Sequence, residues 1–223
     1  LHLDDDNVLD RTDWLQKMVE PFNDPAIVAA EPLFYTTTPN SNIITRYISL
    51  LGADDPLVVY AGFHERFSQL TNTWTDTPHS DEDRGNYLSI TFKDTKRLPT
   101  LACNAFLCRR EALRAITQTP WLHIDGAARL LATPHRKWAK VKVGIINHHA
   151  PSVIAFFIKK SRRLKTRSRE ATHFEYRYPT SRAQIAAIIL RSSTIAPLIL
   201  DAARGWRRQP DWAWFLHPLL TIG

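Results

Sequence analysis

The sequence predicts an α/β fold class, a mixed sheet flanked by helices, followed by a helical extension that is both basic and apolar. Three observations carry this expectation. A strand, a helix and a second strand follow one another within the first 30 residues. A run that alternates and then turns fully apolar, residues 141–146, stands between helical patterns. The most apolar stretch, residues 183–203, lies near the end of the chain and is interrupted by Arg191 and Pro197.

Taken in order, Leu1-His2-Leu3 reads as the end of a strand and Asp4 to Asp13 as a polar turn. Asp13 is placed to cap a helix in which Trp14, Leu15, Met18 and Val19 recur at helical spacing, with Pro21 marking its end. Ala26 to Ala30, bounded by Pro25 and Pro32, predicts a short buried strand. Residues 36–42 are a Thr/Pro/Asn/Ser loop, and Ile43 to Leu51 predicts a helix. Residues 68–86 are rich in Thr, Asp and Ser and read as a long loop. Leu101 to Leu107 is strand-like, and Arg109–Ile116 and Ile124–Leu131 are helical. Val141–Ile146 predicts a strand, and Ser152–Arg163 a helix with an apolar start and a cationic end, the favourable sign for its dipole.

Composition narrows the class of protein. At 223 residues, 44% hydrophobic and 23% charged, the chain is near the globular average, which excludes disordered and low-complexity classes. Two Cys cannot staple a domain this size and suit a reducing compartment. Cys103 and Cys108 lack a second Cys pair or a suitable His spacing, so zinc is not expected. The chain opens on Leu1 without a signal-peptide pattern and its single Met is Met18, so it reads as a partial chain. The expected location is cytoplasmic, peripheral on a membrane.

Charge is unevenly spread. Residues 1–100 hold 16 acidic and 8 basic side chains, whereas residues 101–223 hold 6 and 21. The densest cationic segment comprises Lys159, Lys160, Arg162, Arg163, Lys165, Arg167 and Arg169, with no acid before Glu170. Such a segment is either a solvated helix face or a site for an anionic partner. No aromatic side chain is interleaved within it and no nucleic-acid reader motif is present, so nucleic acid is not an expected partner. Residues 183–203 carry a central charge and therefore predict a core-packed or interfacial helix rather than a span. Trp206, Trp212, Trp214 and Phe215 beside Arg207 and Arg208 fit a membrane-interface belt and equally a domain-closing patch.

The strongest chemical signal is Asp4-Asp5-Asp6 at the end of an apolar segment. Three adjacent carboxylates repel one another, and a hard divalent cation offsets that cost. In an extended segment Asp4 and Asp6 share one face and Asp5 takes the other. An EF-hand reading fails, because its sixth and twelfth places fall on Leu9 and Leu15. A solvated acidic turn remains the other reading.

Several segments together resemble family-2 glycosyltransferases: Leu3–Leu9, Asp13–Val19, Pro21-Phe22, Pro25–Val28, Leu101–Leu113, His123-Ile124-Asp125, and Lys140–Ile146 followed by Lys159–Arg163. The resemblance covers most of residues 1–165 and rests on the order of the motifs. It implies a GT-A-like (Rossmann-like) mixed sheet, incomplete because the N-terminal nucleotide-binding strands are missing. Residues 1–165 would form the later part of that domain, and residues 166–223 a helical, membrane-associating extension. The implied activity is transfer of a single sugar from a nucleotide-sugar donor to a hydroxyl of a glycan or lipid-linked acceptor, metal-dependent and inverting. Asp4 would lie near the ribose or assist the metal, and Asp6 would bind the Mn²⁺ or Mg²⁺ that bridges the diphosphate. Asp125 would be the general base, although it also suits a helix N-cap. His149 is the implied further metal ligand, because Asn147 stands where relatives carry a His. Ala105 stands where a Gly is usual, and the Gln-X-X-Arg-Trp signature of processive synthases is absent. The alternative to an enzyme is a module that binds an anionic membrane surface.

Overall fold

The computed structural model describes residues 1–116, 123–132, 137–170 and 175–222. In chain order the elements are β1 (Asn7–Leu9), α1 (Trp14–Val19), a 3-10 turn (Glu20–Asn23), β2 (Ile27–Tyr35), α2 (Ile43–Leu51) and α3 (Pro56–Tyr60). The hairpin β3 (His79–Asp83) and β4 (Tyr87–Phe92) comes next, then β5 (Leu107–Cys108), α4 (Arg110–Ala115), α5 (His123–Leu131) and β6 (Lys137–Asn147). The chain closes with α6 (Val153–Glu170), α7 (Arg182–Ser192), α8 (Ile195–Arg208), a 3-10 segment (Trp212–Leu216) and α9 (His217–Ile222).

The strands form one mixed six-stranded sheet in the order β3-β4-β6-β2-β5, with β1 also paired to β6. β2 and β6 run parallel and every other pairing is antiparallel. The parallel pair is central because its sequences are near-continuous buried runs, the pattern of strands covered on both faces. Pro32 is accommodated within β2 where the register with β6 shifts, a position that tolerates a missing ladder donor. β4 pairs with the first part of β6 and β1 with its last part, Asn7 opposite Asn147. The aspartate triplet that precedes β1 is thereby carried to the carboxyl end of the parallel pair.

Both faces of the sheet are covered. One core gathers Trp14, Met18, Ile44, Tyr47, Ile48 and Phe156, and the other gathers Val28, Trp74, Ile90, Phe106, Ile124 and Trp138. α1 and the turn before it are tied to β6 at Gly144. Its carbonyl accepts the Trp14 indole N–H (2.8 Å) and its amide donates to Asp10 Oδ2 (3.0 Å). A Cβ there would collide with Thr36 and Asp10. α2 starts at Asn42, whose side chain accepts the amides of Ile44 and Thr45, and ends at Gly52 in the left-handed region.

The last three helices pack onto α2 and α3. Trp214 and Leu220 share the core of Tyr47 and Ile48, and the expected boundary between residues 165 and 166 falls inside α6. Residues 183–203 form not one helix but parts of two, α7 and α8, bent by 84°. The hydroxyls of Ser192, Ser193 and Thr194 donate to the carbonyls of Ile188, Ile189 and Leu190, which ends α7. Among the described residues no single helix is long and apolar enough to cross a membrane.

Three further segments differ from the sequence expectation. Residues 68–86 hold β3 and the turn into β4, because His79–Asp83 pairs along an open edge where polar side chains are tolerated. Leu101 to Leu107 is a strand only at its end. Ala102, Asn104 and Ala105 adopt positive φ of 63°, 49° and 69°, which bends the segment into a loop. Asp13 forms an ion pair with Arg11 and does not cap α1 through its side chain.

Candidate functional site

The site is built around the carboxyl ends of β2 and β6, the position where ligands bind in open α/β sheets. Beneath it lies a buried charge network. Glu31 and Lys140 face each other across the parallel pair, with Lys140 Nζ donating to Glu31 Oε2 (2.7 Å). Arg66 Nη1 donates to the same oxygen (3.1 Å), and all three side chains are inaccessible to solvent. Burial alone would raise the Glu31 carboxyl, but Lys140 and Arg66 hold it below its ordinary value. Burial pushes Lys140 down to about 8 against the pull of Glu31, and pushes Glu65 up to about 7 against the pull of Arg66.

This network holds the irregular loop 101–105. Arg66 Nη2 donates to the carbonyls of Cys103 (3.0 Å) and Asn104 (2.8 Å), and the Ala102 amide donates to Glu31. The loop in turn aims Asn104. Its amide nitrogen donates to the Tyr35 hydroxyl (2.8 Å), which donates to Glu65 (3.1 Å). Its oxygen accepts from Asn7 (3.1 Å) and Asn147 (3.4 Å). A continuous hydrogen-bonded path therefore joins the buried charges to the aspartate triplet.

The triplet is not extended. The Asn7 amide donates to the Asp4 carbonyl (3.1 Å), closing a turn in which Asp4 and Asp6 are partly buried and Asp5 is exposed. Asp4 Oδ1 lies 2.9 Å from His2 Nε2. The His2 ring meets the His123 ring edge to face at 5.0 Å, so the turn neighbours the first residue of α5. Asp6 Oδ2 accepts from Lys159 Nζ (3.0 Å), and Lys159 also donates to the His149 carbonyl (3.0 Å). The His149 ring is buried with its Nδ1 3.5 Å from Asp54 Oδ2, outside hydrogen-bonding geometry. Burial pushes this imidazole down to about 4, and Asp54 only partly opposes the shift, so His149 is neutral near pH 7. Arg163 donates to Asp54 (3.1 Å) and completes the cluster.

Lys159 thus links the Asp6 carboxylate to the His149 backbone carbonyl, with Asp4 on the same turn, but the His149 ring expected as a metal ligand faces Asp54 instead. Asp125 is buried in the first turn of α5, and its two oxygens accept the backbone amides of Glu175 (3.1 Å) and Tyr176 (2.7 Å). Its carboxylate ties residues 175–176 to α5 and is not the N-cap of that helix. The cationic segment supplies Lys159 and Arg163 to the site, while the side chains of Arg167 and Arg169 lie outside the described residues. Cys103 and Cys108 are both free.

Donor chemistry tests the implied metal. Among the described residues no group of three or more His, Cys, Asp or Glu side chains is placed to hold an ion, so a closed cage is absent. An open site needs less, because Mg²⁺ or Mn²⁺ is commonly held by one or two carboxylates plus substrate phosphates. Asp6 already draws a cation, Lys159, and the buried Nδ1 of His149 has no hydrogen-bond partner. Asp6 supplies one carboxylate of the kind such a site uses, whereas the His149 imidazole is buried facing Asp54 and meets Lys159 only through its backbone carbonyl, so it does not fit as a second ligand.

Asp54, Asn104, Glu65 and Arg66 were not singled out from the sequence. The adjacent charges of His64-Glu65-Arg66 in an otherwise uncharged stretch were the available signal. Compared with protein-family models, curated proteins and solved structures, the chain finds no match.

Proposed function

We propose that the chain carries the reaction face of a GT-A-like glycosyltransferase, moving a single sugar from a nucleotide-sugar donor to a hydroxyl of a glycan or lipid-linked acceptor. The observation that carries this reading is the pairing of Asp6 with Lys159 at the carboxyl ends of the parallel strands β2 and β6. Asp6 would hold Mn²⁺ or Mg²⁺, with substrate phosphates supplying further oxygens. When bound, the cation offsets negative charge on the departing diphosphate.

The chain's own residues set up the rest. Lys159 and Arg163 place two positive charges at the same end of the sheet, the sign a diphosphate requires. Asn7, Asn104 and Asn147 fix the turn that presents Asp6, with no side-chain charge of their own. Asp4, on the same turn, is assigned to the ribose or to assisting the metal. Asp125 is assigned as the base that takes the acceptor hydroxyl proton. An oxygen that accepts one amide keeps a second lone pair for that proton.

The test uses Mn²⁺ binding in the presence of a nucleoside diphosphate, followed by electron paramagnetic resonance. Asp6→Ala is expected to abolish bound Mn²⁺ and Asp5→Ala to leave it near the native level. The reverse order would overturn the assignment.

A further inference from the structure

We propose that α7, α8 and the segment Trp212–Ile222 form a face that docks on the surface of an anionic lipid bilayer. The inference is independent of the transfer chemistry. It begins with α7, whose sequence from Ala183 to Leu190 is apolar except for Gln184. A helix that is apolar around most of its circumference is normally enclosed. Here no residue of α7 is buried, and Leu190 keeps 68% of its surface exposed.

The neighbouring elements extend the same property. α8 turns Leu198, Asp201 and Gly205 inward and leaves Ile195, Ile199 and Leu200 in solvent. Trp212 and Phe215, 68% and 64% exposed, stack at 5.3 Å. Trp206 meets both rings edge-on at 5.3 and 5.5 Å. Leu219 and Ile222 continue the apolar surface on α9.

The bend is fixed rather than loose. Arg191, near the end of α7, donates to both oxygens of Asp201 on α8, at 2.6 Å to Oδ1 and 2.7 Å to Oδ2, and stacks on Tyr60. Two helices held at 84° present their apolar side chains across a surface and do not make one straight span.

Charge identifies the occupant. Residues 176–223 contain six Arg and only two acids, Asp201 and Asp211. Asp201 is paired with Arg191 and Arg204, and Asp211 with Arg46. Arg182 and Arg207 are exposed and, among the described residues, paired with no carboxylate. Exposed Trp with unpaired Arg around an apolar surface matches the headgroup region of an anionic leaflet, where the rings sit at the boundary and the guanidinium groups meet lipid phosphates.

The experiment is vesicle flotation of the 223-residue chain on phosphatidylcholine alone and on phosphatidylcholine with phosphatidylserine. Flotation with the anionic vesicles, weakened by salt, is expected. The pair Ile189→Asp and Leu190→Asp is expected to abolish it while leaving the thermal unfolding midpoint unchanged, since both residues are exposed. The pair Arg182→Gln and Arg207→Gln should weaken it roughly thirtyfold, about fivefold for each charge removed. Velocity sedimentation of the same native and variant chains accompanies the flotation. Flotation of the aspartate variant equal to the native chain would overturn the proposal. So would failure of the native chain to float, or its self-association in solution through these same residues.

Discussion

The sheet-centred part of the molecule and its C-terminal helical layer treat charge in opposite ways. Around the sheet, Glu31, Arg66 and Lys140 are all fully buried, and the network holds the loop that aims Asn104 at the aspartate turn. Among the described Asp, Glu, Lys and Arg side chains of the helical layer, only Asp201 is buried. Its partners Arg191 and Arg204 reach it from the surface, and the apolar side chains of α7 point outward. The first arrangement rigidifies a site from within. The second leaves its apolar area for something outside the chain.

The contrast is sharpened most by removing, from each part, one cation paired with a buried carboxylate. Arg66→Met leaves Glu31 with Lys140 as its one remaining buried counter-charge and leaves the buried Cys103 and Asn104 carbonyls without their donor, and should cost about 3–5 kcal/mol in chemical denaturation. Arg191→Met should cost no more than about 1 kcal/mol, because Asp201 keeps Tyr60 and Arg204 and the lost side chain is partly solvated. Equal losses would erase the distinction drawn here.

Acid should separate the two parts next. His217 is buried between the hydroxyls of Tyr47 and Tyr60, and burial pushes it down to about 4. An unfolded His binds its proton near pH 6.5, so this group's contribution is present above that pH and is lost as pH falls towards 4. The loss is on the order of 3 kcal/mol. Glu65, pushed up to about 7, has the opposite sign. The folded chain holds its proton more tightly than the unfolded chain, so stability falls as pH rises from about 4.5 to 7. Glu65→Gln should therefore stabilise the chain above pH 7, and His217→Gln should flatten the acid limb. Denaturant midpoints measured across this pH range read both, and parallel curves for the two variants would show that one titration dominates both regions.

Two glycines give a smaller effect. Gly144→Ala meets Thr36 and Asp10, and Gly205→Ala meets the ring of Trp214. Each should cost about 1–3 kcal/mol in thermal unfolding. The first should push Asp10 and Thr36 away from β6, and the second should redden Trp214 emission as the C-terminal packing opens. The smallest effect on stability is expected at Asp125. Asp125→Asn weakens two charge-assisted bonds, at about 1–2 kcal/mol together, and should speed hydrogen exchange at the Glu175 and Tyr176 amides. Unchanged exchange would remove the anchoring role.

Local pattern made much of the fold legible. α2 runs from Ile43 to Leu51 as its periodicity implies, α5 and β6 include the expected residues, and α4 lies within the expected Arg109–Ile116, one residue shorter at each end. Long-range pairing was not legible. β3 is a polar strand that carries no alternation, and only its partner β4 defines it. Leu101 to Leu107 has the composition of a strand, yet Arg66, far away in the chain, bends it. The site divides the same way. The aspartates and His149 stand out by residue type, whereas Asn104 and Asp54 matter only through neighbours about 40 to 100 residues distant. The break at Ser192–Thr194 depends on hydroxyls turning back on the helix, a choice an apolar run does not announce.

The account rests on a cation-assisted diphosphate site at the carboxyl ends of β2 and β6, and calorimetry of a nucleoside diphosphate with and without Mn²⁺ tests it most directly. Binding that requires Mn²⁺, and that is lost in Asp6→Ala, is the predicted result. The same affinity in the presence and absence of Mn²⁺ would contradict it.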